Sequence, residues 1–449
     1  MKSVALHNLG CKVNAYEMEV MQQILQKNGY KIVDFDENAD IYIINTCTVT
    51  NIADRKSRQM LHRAKAKNPD AVVVAVGCYV QTGGEKIEKD AAIDLAIGNN
   101  RKKELVTILE RYFAEKEKSK ALSPDKTLGQ TTVIDINHTQ EFEEMTAQGA
   151  DIFTREHTRA FVKIQDGCNR FCSYCVIPYA RGRARSRREE DILTEASEIV
   201  KQGYREIVLT GIHISSYGID RGEPELLRLL GKLCEIEGLG RIRLGSLEPG
   251  IITEEFAREI SALSPVCPHF HLSLQSGCDE TLRRMNRHYT TGEYLEKVEL
   301  LRSYFPMPAI TTDVIVGFPG ETEEEFAITE AFLRKVRFYE MHVFKYSKRQ
   351  GTKAALMECQ IPESVKAQRS SRLIELGKQT SKEYRQSFIG REAEVLFEEA
   401  RTFQGRVYQT GHTREYVRVV KDTAQTLDNC VMKGTITGFF QEDILEIGR

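Results

Sequence analysis

Two hydrophobic rhythms alternate over residues 1–113. The runs "SVALHN", "ADIYIINT", "AVVVAVG" and "DLAIG" are short and apolar, whereas "AYEMEVMQQILQKNGY", "NIADRKSRQMLHRAKAKN" and "KKELVTILERYF" repeat with helical period. An unbroken run such as "AVVVAVG" is what a parallel sheet buries on both faces. Strands alternating with helices predict an open parallel α/β sheet. The pattern weakens over 114–157, where "AEKEKSKALSPDKTLGQ" is polar and proline-bearing; this stretch reads as a linker with one short strand, "TTVIDI". Over 158–387 the alternation returns. Strands are expected at "AFVKIQ", "EIVLTGI", "RIRLGS", "HFHLSLQS", "ITTDVIVGF" and "EMHVFKYS", with amphipathic helices between them. Six β/α units predict a full or partial barrel. A long polar helix from about Glu363 to Phe388 leads away from it. Residues 388–449 then switch to period two between turns, as in a small β-barrel or sandwich.

Composition adds limits. With 41% hydrophobic and 29% charged residues the chain is globular, and its net charge of −2 requires any nucleic-acid surface to be a local basic patch. No signal peptide and no apolar run of membrane-spanning length is read, so a cytoplasmic protein without a membrane partner is expected. Eleven cysteines in that compartment point to metal or redox chemistry rather than disulfides.

Three of those cysteines, Cys168, Cys172 and Cys175, follow the first barrel strand in "DGCNRFCSYCVIPYARGRARSR". A zinc knuckle wants a fourth tetrahedral ligand, and the nearest other candidate, His157, precedes the strand. Three thiolates without a local fourth suit a 4Fe-4S cluster with one open iron. The segment resembles the radical S-adenosylmethionine superfamily. That resemblance implies a cluster on these three cysteines, chelation of its open iron by S-adenosylmethionine, and cleavage of that cofactor to a 5′-deoxyadenosyl radical. It also marks Tyr174, between the last two cysteines, as part of the site. At the carboxyl ends of later barrel strands it implies cofactor contacts at Gly211, at Glu248 for the amino group or ribose, at Ser273 and Gln275, and at Gly317 with Gly320 for the adenine.

Cys11, Cys47 and Cys78 are far apart in sequence, yet each comes just after a predicted strand of one parallel sheet. The carboxyl ends of such strands share one edge, so the three thiols should meet there. Cys234, Cys267, Cys278, Cys359 and Cys430 show no such pattern and read as structural.

Two such trios in this order resemble the methylthiotransferase family over nearly the whole chain: an N-terminal α/β domain, a radical barrel and a C-terminal TRAM-type β domain. The resemblance implies a second, auxiliary 4Fe-4S cluster on Cys11, Cys47 and Cys78 that carries or donates sulfur. S-adenosylmethionine would then serve as both radical source and methyl donor, with a flavodoxin- or ferredoxin-type electron donor. Within the family, "NTCTVTNIADRKSRQ", "VGCYVQ" and "CNRFCSYCVIPYARGRARSR" most resemble the branch acting on N6-threonylcarbamoyladenosine at position 37 of tRNA. Other branches act on isopentenyladenosine or on a ribosomal aspartate. A zinc-dependent RNA-binding protein is the alternative of another class. Arg181, Arg183, Arg185, Arg187 and Arg188 are expected to form a basic rim for the anticodon stem-loop, against the alternative of a solvated run paired with Glu189, Glu190 and Asp191. "RRMNRHY", "FKYSKRQGTKA" and the basic-aromatic C-terminal strands are further candidate RNA contacts.

Overall fold

The computed structural model describes residues 1–122, 130–145 and 158–448; His157 lies outside the described residues. The N-terminal sheet has strands β1 (Ser3–Asn8), β2 (Lys31–Val33), β3 (Ile41–Thr46), β4 (Val72–Gly77), β5 (Leu95–Ile97) and β6 (Gln130–Thr132), in the order β2-β1-β3-β4-β5-β6. Every pairing is parallel. β3 and β4 are buried along their whole length because apolar cores form on both faces of the sheet. One strand departs from the sequence reading: β2 was too short to show a period. β6 overlaps the short strand expected at "TTVIDI" and completes this sheet as its far edge.

The second unit has strands β7 (Arg159–Asp166), β8 (Arg185–Ser186), β9 (Glu206–Gly211), β10 (Arg241–Leu244), β11 (His269–His271), β12 (Ala309–Val316) and β13 (Glu340–Lys345). β7-β9-β10 and β11-β12-β13 are parallel sheets joined by the bridges Ile242–Val266 and Leu247–Leu272, so six strands curve into a partial barrel. β8 pairs antiparallel with the end of β7 and folds the arginine-rich segment back under the cysteine loop. Alternate strand residues (Val162, Ile164, Leu209, Leu244, Val314) pack outward against the helices in the largest core. Their neighbours, Lys163, Gln165, Arg243 and His269 among them, line a polar lumen.

The helix Glu363–Gln386 packs beside β13. The last strands, β14 (Glu392–Phe403), β15 (Arg406–Thr413), β16 (Arg418–Lys421), β17 (Val431–Gln441) and β18 (Ile444–Ile447), close into a barrel in the order β14-β15-β16-β18-β17. β18 falls in a segment whose acidic residues masked its apolar alternation. This barrel docks against the amino ends of the central strands. Arg241 donates to the carbonyls of Glu394 (2.9 Å) and His412 (3.1 Å), and Arg243 to that of Arg414 (3.0 Å). Arg159 pairs with Glu398 at 3.0 Å.

Candidate functional site

Cys168, Cys172 and Cys175 lie on the loop that leaves the carboxyl end of β7. The loop turns through Gly167 (φ +70°) and Phe171 (φ +49°). A Cβ on Gly167 would stand 1.9 Å from the Arg183 carbonyl oxygen, so only glycine fits where the arginine segment crosses beneath. Gly167→Ala is therefore expected to displace the loop. Its left-handed backbone alone costs about 1–3 kcal/mol in a non-glycine residue. Iron per chain and the unfolding midpoint should both fall, and a variant matching the parent in both would contradict this account.

Residues 284–289 brace the same loop. The Ser173 amide donates to the Met285 carbonyl at 3.0 Å, and Asn286 Nδ2 to that of Phe171 at 3.1 Å. Arg287 Nη1 reaches Cys172 Sγ at 3.3 Å, and its Nη2 reaches Glu248 at 2.9 Å. "RRMNRHY" thus supports the cysteine loop through Met285, Asn286 and Arg287, while Arg283 and His288 are exposed. Arg284 is tied to Glu325, and Tyr289 donates to the Ser273 carbonyl at 2.7 Å. Burial pushes the thiols up, Cys168 to about 11 and Cys175 to about 12. They would ligate as thiolates only against the positive charge of bound metal, helped by the amide of Arg170 on Cys168 Sγ (3.4 Å) and by Arg287.

The cofactor contacts expected from sequence divide. Glu248 is buried near the loop. Burial opposes its charge, but the His213 hydrogen bond (3.2 Å) and Arg287 hold it below the ordinary carboxylate range, leaving an ionised acceptor. Ser273 and Gln275 follow β11, where Gln275 adopts φ +72° and bridges to Val314. Tyr174 stands edge-on to Phe318, at 6.5 Å between centroids. The two glycines have packing reasons instead. A Cβ on Gly211 would meet Ile214 and Gln165 at about 3 Å, and one on Gly317 (φ +68°) would lie 2.3 Å from Lys366 Cγ of the long helix. Gly320 (φ +78°) sits in the following turn, its amide donating to the Cys359 carbonyl at 2.9 Å.

Cys11, Cys47 and Cys78 follow β1, β3 and β4, three adjacent strands, at their shared carboxyl edge. A Cβ on Gly10 (φ +109°) would stand 3.2 Å from Cys47 Sγ, which shows how closely the first turn approaches the second thiol. Burial raises the Cys47 thiol to about 11, and the neighbouring Cys78 and Cys11 thiols add to the rise. Asn99 Nδ2 lies 3.4 Å from Cys78 Sγ and donates to the Ala180 carbonyl at 2.7 Å.

Arg181 joins the two trios. It ends the short helix after Cys175, yet its Nε lies 3.1 Å from Cys78 Sγ and its Nη2 lies 2.6 Å from Asn14 Oδ1. It also pairs with Glu17 and Asp166. Lys163 bridges the same two carboxylates at 2.8 and 2.7 Å, Lys102 pairs with Glu17, and Arg185 stands 3.9 Å from Asp166. Counting Glu143, whose carboxyl burial pushes toward the neutral form, four buried cations meet three carboxylates. Nε and Nη1 of Arg185 have no hydrogen-bond partner among the described residues. A buried excess of positive charge beside Cys78 fits an anionic thiolate-ligated group there.

The basic-rim expectation is accordingly corrected. Arg181, Arg185 and Arg187 are each 1% exposed. Arg187 is held by Glu144 and Glu195. Arg183 alone of the four is exposed, lying 4.5 Å over the Phe171 ring, while Arg188 pairs with Asp191 at the surface. In "FKYSKRQGTKA", Arg349 is also buried and binds Thr48, Asn51 and Asp54 beside Cys47. Sequence reasoning missed Asn14, Glu17 and Asn99, and it singled out Arg287 only as part of "RRMNRHY". The first two had a visible signal: Asn14 and Glu17 follow Cys11 at intervals of three on one helix face.

The ligand atoms of a mononuclear zinc site stand close together; two sulfurs at ~2.3 Å from a tetrahedral zinc are about 3.8 Å apart. Among the described residues the only His, Cys, Asp or Glu set converging within 4.8 Å is His271, Asp313 and His342 in the lumen. Neither cysteine trio converges within that distance.

Comparison with known proteins bears on this architecture. Residues 162–333 match the radical SAM superfamily, and residues 3–98 match the family described as uncharacterized protein family UPF0004. The threonylcarbamoyladenosine tRNA methylthiotransferase MtaB of Bacillus subtilis is 41% identical over 94% of this chain and 90% of its own length. The chain belongs to the radical SAM methylthiotransferases. The MtaB protein of Aquifex aeolicus is 40% identical over 88% of this methylthiotransferase and 92% of its own length. The tRNA-2-methylthio-N(6)-dimethylallyladenosine synthase of Carboxydothermus hydrogenoformans is 36% identical over 97% of both. Among solved structures, the radical S-adenosylmethionine methyltransferase TsrM of Kitasatospora setae superimposes with a TM-score of 0.56 over 77% of this chain and 73% of its own, at 16% identity, a likeness of fold. Family membership brings S-adenosylmethionine and a 4Fe-4S cluster with it. No described helix of this methylthiotransferase is long and apolar enough to cross a membrane.

Proposed function

We propose that this methylthiotransferase converts N6-threonylcarbamoyladenosine at position 37 of tRNA, next to the anticodon, into its 2-methylthio derivative. The 41% identity with the Bacillus subtilis protein of that name, sustained over 94% of the chain, carries the reading. In it, Cys168, Cys172 and Cys175 hold the radical cluster, and Cys11, Cys47 and Cys78 hold an auxiliary one. When bound, the clusters and S-adenosylmethionine supply hydrogen-atom abstraction, the sulfur and the methyl group. The chain's own part is to keep two thiolate sets apart and fixed. Arg287 and Glu248 brace the first, and the Arg181 hub braces the second. A reducing protein of flavodoxin or ferredoxin type and a cytoplasmic setting complete the proposal.

The dimethylallyladenosine reading has the 36% relative in its favour. Mass spectrometry of tRNA nucleosides from a strain lacking this protein separates the two. The 2-methylthio form of threonylcarbamoyladenosine is expected to disappear and its unthiolated precursor to accumulate. If that nucleoside persists while the dimethylallyl derivative loses its methylthio group, the substrate assignment passes to the other branch.

A further inference from the structure

A cavity of about 610 Å³ opens where the three units meet. Phe161, Val208, Arg243 and His269 line it from the inner face of the partial barrel, Tyr416 from the C-terminal barrel, and Lys12 from the N-terminal domain. Its lining carries five fixed cations, Lys12, Arg159, Arg243, Arg401 and Arg418, against the two carboxylates Glu398 and Glu399. Three of the cations are already answered: Arg159 by Glu398, Arg401 by Glu399, and Arg243 by the buried Glu206 at 2.8 Å. Lys12 and Arg418 have no carboxylate partner among the described residues. Such a charge gains most from an incoming anion.

We propose that this cavity receives the substrate's modified side arm and that Lys12, with Arg418 as a second cation, binds its carboxylate. The inference rests on the substrate reading above. A threonylcarbamoyl group on N6 carries one α-carboxylate, ionised at neutral pH, whereas a dimethylallyl group carries no charge. On the purine ring, N6 projects away from C2, the carbon to be thiolated. A group that reads the end of the arm must therefore reach well past the sulfur-bearing site. Lys12 immediately follows Cys11, and its flexible four-carbon stem gives that reach. A site built around an unpaired cation also rejects analogues that leave it unpaired, so discrimination against dimethylallyladenosine and plain adenosine follows from the same residue. The four acidic groups nearby do not cancel it. Glu206, Glu398 and Glu399 are committed to arginines, and Asp313 is held by His342 at 3.2 Å and His271 at 3.3 Å.

The test uses the anaerobically reconstituted holoenzyme and labelled anticodon stem-loops carrying threonylcarbamoyladenosine, its methyl ester, or dimethylallyladenosine, titrated at one fixed salt concentration because phosphate contacts dominate total affinity. The parent enzyme should bind the free acid roughly 10- to 100-fold more tightly than the ester, the range of a charge-assisted hydrogen bond. Lys12→Met should bring that ratio close to one by weakening only the free acid, Lys12→Arg should restore part of it, and Arg418→Met should reduce it. Iron per chain checks that each variant keeps its clusters; should Lys12→Met lose iron, Arg418→Met, on the C-terminal barrel, decides. Ratios unchanged in both methionine variants would overturn the inference. So would a parent enzyme that thiolates the free-acid RNA yet binds acid and ester alike, with the substrate reading left intact. A parent enzyme that thiolates only the dimethylallyl RNA would overturn both.

Discussion

Cys172→Ala is expected to abolish formation of 5′-deoxyadenosine from S-adenosylmethionine and to leave about four irons per chain where the parent holds about eight. Cys172 is the middle thiol of its loop and the one that Arg287 contacts, and Arg287 in turn contacts Glu248. Losing the sulfur removes one of three cluster ligands and frees a buried guanidinium. The second trio belongs to a different sheet and keeps its own supports at Asn99 and Arg181, so its iron should stay. Anaerobic reconstitution, iron analysis and chromatography of the cleavage product read both effects. Cleavage that continues at the parent rate in the variant would mean that the reactive cluster sits elsewhere.

Arg181→Met carries the other large effect. Breaking a buried ion pair by removing one partner costs ~3–5 kcal/mol. Here Glu17 and Asp166 lose their guanidinium partner but keep Lys102, Lys163 and the more distant Arg185, which puts the cost toward the low end. Cys78 would lose the cation 3.1 Å from its sulfur. The unfolding midpoint should drop by several degrees, and the auxiliary iron should be lost selectively. Arg181→Lys should not rescue, because one ammonium cannot reach Cys78, Asn14 and Glu17 together. If the variant melts with the parent and holds the same iron, the hub has no role in binding the second cluster.

Much of this architecture could be read from the residues. β3 and β4 announced themselves because both faces are buried, which leaves an apolar run with no polar interruption. The six barrel strands were legible from their alternation with helices. The placing of Cys11, Cys47 and Cys78 at one edge followed from strand order alone, since residues just past adjacent parallel strands have nowhere else to be. What escaped the sequence was of two kinds. β2, β8 and β18 have only two to four residues, and no apolar run marked them as "DLAIG" marked the equally short β5. The arginines were misplaced for a different reason. A charge run looks the same whether it faces water or a buried carboxylate, and the partners that settle it, Glu17, Glu144, Asp166 and Glu195, are scattered over four separate segments. Local pattern does not encode that pairing; only the folded chain does.

The attachment of the C-terminal barrel has a consequence for how a large ligand would be handled. Arg241 and Arg243 grip its backbone carbonyls from strands of the central barrel, and Arg414 grips back at Val266. A domain fastened through the rungs of its neighbour's own sheet cannot swing on a tether. Anything held on its outer surface is thereby held in fixed register with the interior chamber, so the molecule measures its ligand as a rigid gauge does, and bending must come from the ligand.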